Sequence, residues 1–227
     1  MDFVALFNSS RHTHSLPKQI ADSNQQGCDG GRLYFDGCSS IFINGDCVAQ
    51  GTQFAIRDVE VITATVDLED VRSYRASIPS RGVQADRAKK LPRVLVNFNL
   101  SNNTARLAAQ SPPMMIKFHR FEEEIAYGPA CWLWDYLRRS GGSGFFLPLS
   151  GGADSSATAA LVSIMCRLVF ADIQRGDNPQ ALEDVRRLVG EKPESKYVPA
   201  NHRELCNFIL HSCYMGIFLC SLGARTG

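Results

Sequence analysis

Residues 33–68 carry the pattern of β structure. The run LYFDGCSSIFI leads to Asn44-Gly45 and then to DCVAQ. Asn-Gly between apolar runs predicts a hairpin, because a type I′ turn needs positive φ at both central residues. DVEVITATVDL alternates next, with Val59, Val61, Thr63 and Thr65 on one face and Ile62, Ala64, Val66 and Leu68 on the other. β-Branched residues dominate this stretch, so it is predicted as a strand. Residues 1–32 read as irregular and polar. Residues 69–120 are rich in charge, Pro, Ser and Asn, with a turn of helix expected over Glu69–Arg75. SIPSRGVQADRAKKLPR is expected as exposed loop and SNNTARLAAQSPP as linker, with a domain boundary near Ser111–Pro113.

From Glu122 the period lengthens to that of a helix. Glu122, Glu123 and Glu124 open a segment that Arg138 and Arg139 close, each group complementing its end of the helix dipole. Gly128-Pro129 is expected to break it into two pieces. Trp132, Leu133, Tyr136 and Leu137 form an apolar stripe, expected to pack in the core, with a cofactor pocket as the alternative. SGGSG then ends it. Ser155–Gln174 is predicted as the next helix, with small residues at its start and Gly176 at its end. Asn178-Pro179 starts a helix over Gln180–Val189, and Asn201 with Glu204 caps another over His202–Asn207. Phe145–Leu147 and Phe208–Met215 are the apolar runs expected as strands. Strands alternating with helices predict a parallel, doubly wound sheet with ligands at the carboxyl ends of its strands.

One stretch, FFLPLSGGADSS over Phe145–Ser156, reads as strand, tight loop and helix. Two adjacent glycines let the backbone turn sharply and approach a ligand. The loop feeds a helix N-terminus, where unpaired N–H groups and the positive dipole end favour an anion. Ser150, Ser155 and Ser156 add hydroxyl donors. Asp154 is unexpected beside a bare anion, but a carboxylate next to phosphates makes sense when Mg²⁺ sits between them. The loop is not a Walker A sequence, because it lacks the lysine that reaches the outer phosphates. The alternatives are a Ser-Gly surface turn for the loop and a helix cap for Asp154.

Composition narrows the classes. A length of 227 residues allows one large or two modest domains, and 44% apolar residues support a core. A net charge of +1 makes no electrostatic case for nucleic acid or an acidic membrane. The basic cluster Arg87, Lys89, Lys90 and Arg93 has no interleaved aromatics and reads as solvated loop. With no run of eighteen apolar residues and no basic start, neither a transmembrane helix nor a signal peptide is expected. The eight cysteines form no C-x-x-C pair and several have apolar neighbours. Buried free thiols, no zinc and a reducing, cytoplasmic compartment are the expectation. The sequons at Asn8 and Asn102 are discounted in the absence of a signal peptide.

SGGADS resembles the SGGxDS pyrophosphate loop of the N-type ATP pyrophosphatases. QQGCDGGRLYFDGCSSIFINGDCVAQGTQF, DVEVITATVDLEDVRSYRA, EEEIAYGPACWLWDYLRRS and FLPLSGGADSSATAALV together resemble the eukaryotic glutamine-dependent NAD⁺ synthetase family. The likeness covers most of residues 1–215. It implies the C-terminal part of a nitrilase-like α/β sandwich over 1–110 and the first half of a doubly wound ATP pyrophosphatase domain over 111–227. It further implies adenylation of deamido-NAD⁺ by ATP, amidation by glutamine-derived ammonia, and assembly into homo-oligomers.

Carried onto this chain, the resemblance makes Pro148, Leu149, Ser150, Gly151, Gly152, Ala153, Asp154 and Ser155 the ATP-binding segment. Ser150 and the Gly151 and Gly152 amides would hold the pyrophosphate, and Asp154 the Mg²⁺. The family's glutaminase Glu, Lys and Cys find no counterpart here, and Cys28 does not match the nucleophile. FNSSRHTHSLPK resembles a glutamine-binding stretch with Lys18 at a basic position, while His12 and His14 read as loop histidines. After CYMG the likeness ends. The expectation is therefore a truncated member with little turnover of its own; the alternative is a non-catalytic fragment that binds nucleotide or a full-length partner.

Overall fold

The computed structural model describes residues 19–90, 92, 94–97, 109–192 and 194–215 of the chain. His12, His14, Lys18, both sequons, Arg93 and Cys220 lie outside them. In chain order the elements are β1 (Gln19–Asp22), β2 (Gln26–Cys28), β3 (Tyr34–Asp36), β4 (Ser40–Ile43), β5 (Asp46–Gln50), α1 (Leu68–Ala76), α2 (Pro79–Arg87), α3 (Phe121–Ser140), β6 (Phe145–Pro148), α4 (Ala153–Arg175), α5 (Pro179–Leu188), α6 (His202–Ile209) and β7 (Leu210–Cys213). They divide between two compact units that interleave in sequence. The first takes Met1–Asn24, Cys38–Thr52 and Glu60–Phe118, and the second Gln25–Gly37, Gln53–Val59 and His119–Gly227. The boundary expected near Ser111–Pro113 lies inside the first unit, because the second also gathers two earlier segments.

The first unit is built on an antiparallel sheet of order β1-β4-β5. Asn44 and Gly45 both have positive φ, 51° and 102°, so the predicted turn joins β4 to β5. Ile41 and Cys47 are the buried residues of that hairpin. The expectation of irregular structure before residue 33 is corrected by β1, β2 and their pairing with later strands. The strand expected over DVEVITATVDL does not form. Its alternation survives over residues 61–64, with Ile62 and Ala64 half-buried and Val61 and Thr63 exposed, and is lost after them, where Thr65 and Val66 are both half-buried. A strand also needs a neighbour for its backbone. The bonds found are Ser111 N–H to the Thr65 carbonyl and Thr65 N–H to the Ser111 hydroxyl, both 2.9 Å, which make no ladder. α2 replaces the loop expected there. Pro79 sits in its first turn, where a missing N–H costs nothing, and none of its residues is buried.

The second unit has an apolar core of Trp134 and Leu137 from α3, Val162, Met165 and Val169 from α4, and Val185, Leu205 and Ile209 from α5 and α6. β6 and β7 pair in parallel, Phe145 opposite Leu210 through Pro148 opposite Cys213, as the two apolar runs predict. α3 is one helix through Pro129, not two pieces. Proline removes one i→i−4 bond, to the Ile125 carbonyl, and the turns after it pack into the core through Ala130, Cys131, Trp134 and Leu137. Gly128 makes room there: a Cβ would lie 3.4 Å from the Phe54 ring. The buried face of α3 is Ala130, Cys131, Trp134, Asp135 and Leu137. Of the expected stripe, Leu137 is buried, whereas Trp132 stacks on the exposed Tyr136 with ring centroids 4.9 Å apart.

α4 ends at Gly176, whose φ of 76° makes the left-handed cap that glycine favours. By length and composition α4 is long and apolar enough to cross a membrane. In this fold one face of it is core, and its buried Asp172 bonds to Arg175 and Asn178. Asn178 spends its amide there and does not cap α5. Asn201 does cap α6, accepting from the Arg203 and Glu204 amides at 2.9 Å. The seven described cysteines are free thiols. Burial pushes the Cys131 thiol up to about 12, and it raises Cys166 as well.

Candidate functional site

The loop between β6 and α4 follows from local rules. Leu149 N–H donates to the Cys213 carbonyl at 2.8 Å, one step past the last β6–β7 pair, so the chain leaves the sheet at Ser150. Gly151 then takes a φ of 81°, a left-handed turn that would strain any other residue. Gly152 is the N-cap of α4 and offers no side-chain acceptor. The first helical bond closes from Ser156 N–H to the Gly152 carbonyl at 3.3 Å. Amides of the first turn therefore have no side-chain cap, and they stand at the positive end of a 23-residue helix.

Hydroxyls brace this turn. Ser150 Oγ lies 3.2 Å from Ser155 Oγ and accepts from Gly152 N–H at 3.3 Å. Ser155 and Ser156 both reach the Gly152 carbonyl, at 3.2 and 2.9 Å. All three serines expected as ligand donors thus also hold the loop shape. Asp154 sits in the first turn of α4, not at the cap, and its exposed carboxylate has no partner among the described residues. Its carbonyl accepts from the Thr158 hydroxyl at 2.9 Å. Pro148, Ser150, Gly151, Gly152 and Ala153 are exposed, and Leu149 and Ser155 half-buried.

This arrangement offers uncapped N–H donors, a hydroxyl and a free carboxylate on one exposed turn. Such donors suit a phosphate or pyrophosphate. No cluster of three or more His, Cys, Asp or Glu side chains placed to hold a metal occurs among the described residues. Mg²⁺ does not need one, since it takes one or two carboxylates and completes its shell with phosphate oxygens and water. A lone hard-oxygen ligand beside a phosphate cradle fits that habit.

Cys28 lies apart from this loop. It is buried; its N–H donates to Asp135 at 3.0 Å and its sulfur accepts from Gly30 N–H at 3.2 Å. Asp135 and Asp172 are buried carboxylates that hydrophobic periodicity did not single out. Each is matched by arginine, Asp135 by Arg138 at 2.8 Å and Asp172 by Arg175 at 2.8 Å. An acid three residues before an arginine on a helix was the available signal.

No family model matches the sequence. Individual proteins do. The chain is 56% identical over 193 residues to the glutamine-dependent NAD(+) synthetase of Mus musculus, covering 85% of this chain and 26% of that protein. It is 55% identical to the same-named protein of Homo sapiens, covering 85% and 27%. Against that of Saccharomyces cerevisiae it is 52% identical over 198 residues, covering 86% and 27%. A crystal structure of a glutamine-dependent NAD(+) synthetase from Cytophaga hutchinsonii shares the fold, with a TM-score of 0.52 at 21% identity over 86% of this chain and 25% of that one. By sequence the chain is similar to the glutamine-dependent NAD(+) synthetases, and it spans about a quarter of the length of the curated relatives it matches.

Proposed function

We propose that Ser150–Ser155 forms the pyrophosphate-binding loop of an ATP-dependent amide-forming site. The observation that carries this is the turn itself: a left-handed Gly151, an uncapped α4 N-terminus and an unpartnered Asp154 carboxylate within four residues. The Gly151, Gly152 and first-turn amides bind the β and γ phosphates, Ser150 adds a hydroxyl, and Asp154 would hold Mg²⁺. The ion would supply charge neutralisation on the phosphates. Donors fixed by the Ser150–Ser155 contact need no reorganisation as charge builds on the departing pyrophosphate. The reaction served is adenylation of deamido-NAD⁺ by ATP and displacement of AMP by glutamine-derived ammonia, which gives NAD⁺. In this reading, residues 1–110 correspond to part of a nitrilase-like glutaminase domain and 111–227 to the start of the ATP pyrophosphatase domain. A cytoplasmic, homo-oligomeric enzyme is the setting proposed for it.

A second reading rests on exposure. Ser150, Gly151, Gly152 and Asp154 all face solvent, and adenylates survive only where water is excluded. The chain alone then binds nucleotide and turns over little or nothing. Calorimetry with inorganic pyrophosphate and Mg²⁺ tests the loop directly. An alanine at position 151 must adopt left-handed φ at a cost of about 1–2 kcal/mol, so Gly151→Ala should bind about tenfold more weakly. Equal binding by the two proteins, or none by folded wild type, refutes the loop assignment.

A further inference from the structure

A cavity of about 440 Å³ lies in the second unit, among α3, the start of α4 and the segments around Tyr34 and Phe54. This is within the size range of small-molecule sites. Tyr34, Phe54 and Trp132 give it aromatic walls. Tyr34 and Phe54 stack with their ring planes 25° apart, and Trp132 is braced by Tyr136 with planes 11° apart. Arg32 is the one charged residue of its lining, which holds no carboxylate. Arg32 has no ion-pair partner among the described residues.

The polar groups left over are donors. The indole N–H of Trp132 is buried without an acceptor among the described residues, and buried donors are normally matched. The Tyr34 hydroxyl is already committed to the Ala55 carbonyl at 3.3 Å. A guanidinium without an ion-pair partner, beside aromatic faces, calls for a ligand that brings both an anionic acceptor and a flat ring. We infer that this cavity is a binding site for a planar aromatic ring carrying one anionic group, with Arg32 taking the charge and Tyr34, Phe54 and Trp132 taking the ring. It uses none of the loop residues, so it stands independently of the pyrophosphate reading.

The probe is 2-naphthoate, with neutral 2-naphthalenemethanol as its uncharged counterpart. Each is titrated into the ¹⁵N-labelled 227-residue chain while the two indole N–H signals are followed. Trp132→Phe identifies the signal of Trp132. Naphthoate should move that signal saturably and leave the Trp134 signal nearly still. The neutral alcohol, and naphthoate with Arg32→Gln, should bind about tenfold more weakly, the loss expected for one charge-assisted contact. Arg32 is exposed, so its substitution leaves the core intact. No movement of the Trp132 signal at millimolar naphthoate, or equal affinity for acid and alcohol, or indifference to Arg32→Gln, would overturn the assignment.

Discussion

At the scale of single residues, charged groups fix the short segment that precedes Val59. Arg138 bonds Asp58 at 2.6 Å, Asp135 at 2.8 Å and Asp184 at 3.3 Å, while Arg57 reaches Asp177 at 2.6 Å. The hydrogen bond from Arg138 holds the Asp58 carboxyl below its ordinary value. A carboxyl depressed in the fold stabilises above its unfolded value and loses that contribution as pH falls through the folded one. Stability should therefore decline below about pH 4 through this group, and Asp58→Asn should flatten part of that decline. Asp58 is 59% exposed, so solvent screens the pair and the effect is small. Urea midpoints measured from pH 6 to pH 2 check it; an unchanged acid limb in Asp58→Asn means the pair contributes nothing. Only the Asp135–Arg138 pair has a helical spacing that sequence shows; Asp58 and Arg138 are 80 residues apart, and spacing carries no sign of such partners.

At the scale of elements, what sequence made legible was local. The β4–β5 hairpin needs only Asn44-Gly45, and the β6–loop–α4 unit needs only an apolar run, two glycines and a helix. The strand expected over DVEVITATVDL failed because a strand is completed by a neighbour, and alternation says nothing about one. The face of α3 was misread because its indoles look alike in sequence: Trp134 is fully buried, while Trp132 stacks on Tyr136. The junction of β6 with the end of α6 makes a sharper claim. A Cβ on Gly144 would lie 2.4 Å from the Ile209 carbonyl oxygen, and no side-chain rotation relieves a clash with backbone. Gly144→Ala should destabilise the second unit by about 1–3 kcal/mol. Gly142→Ala, whose Cβ would meet only side chains at 3.4 Å or more, should stay within about 0.5 kcal/mol of wild type. Urea denaturation of both variants decides this, and equal stabilities would mean the junction is looser than its geometry states.

At the scale of the whole molecule, the two compact units interleave in sequence. Residues 25–37 and 53–59 join the second unit through contacts far apart in sequence, such as Cys28 N–H to Asp135 over 107 residues. In that unit a two-stranded parallel sheet leaves Phe146 67% exposed, although parallel sheets are commonly covered on both faces. The loop at the end of β6 forms nonetheless, since its geometry comes from Gly151, Gly152 and the first turn of α4. The central claim is that this loop alone makes a nucleotide-phosphate site. Calorimetric titration of Mg·ATP into the purified chain, beside Asp154→Ala, tests it most directly. The account predicts saturable one-site binding, weakened about tenfold in Asp154→Ala as one metal-held carboxylate is lost. A folded wild-type chain that binds no Mg·ATP, or an Asp154→Ala protein that binds it equally well, would contradict it.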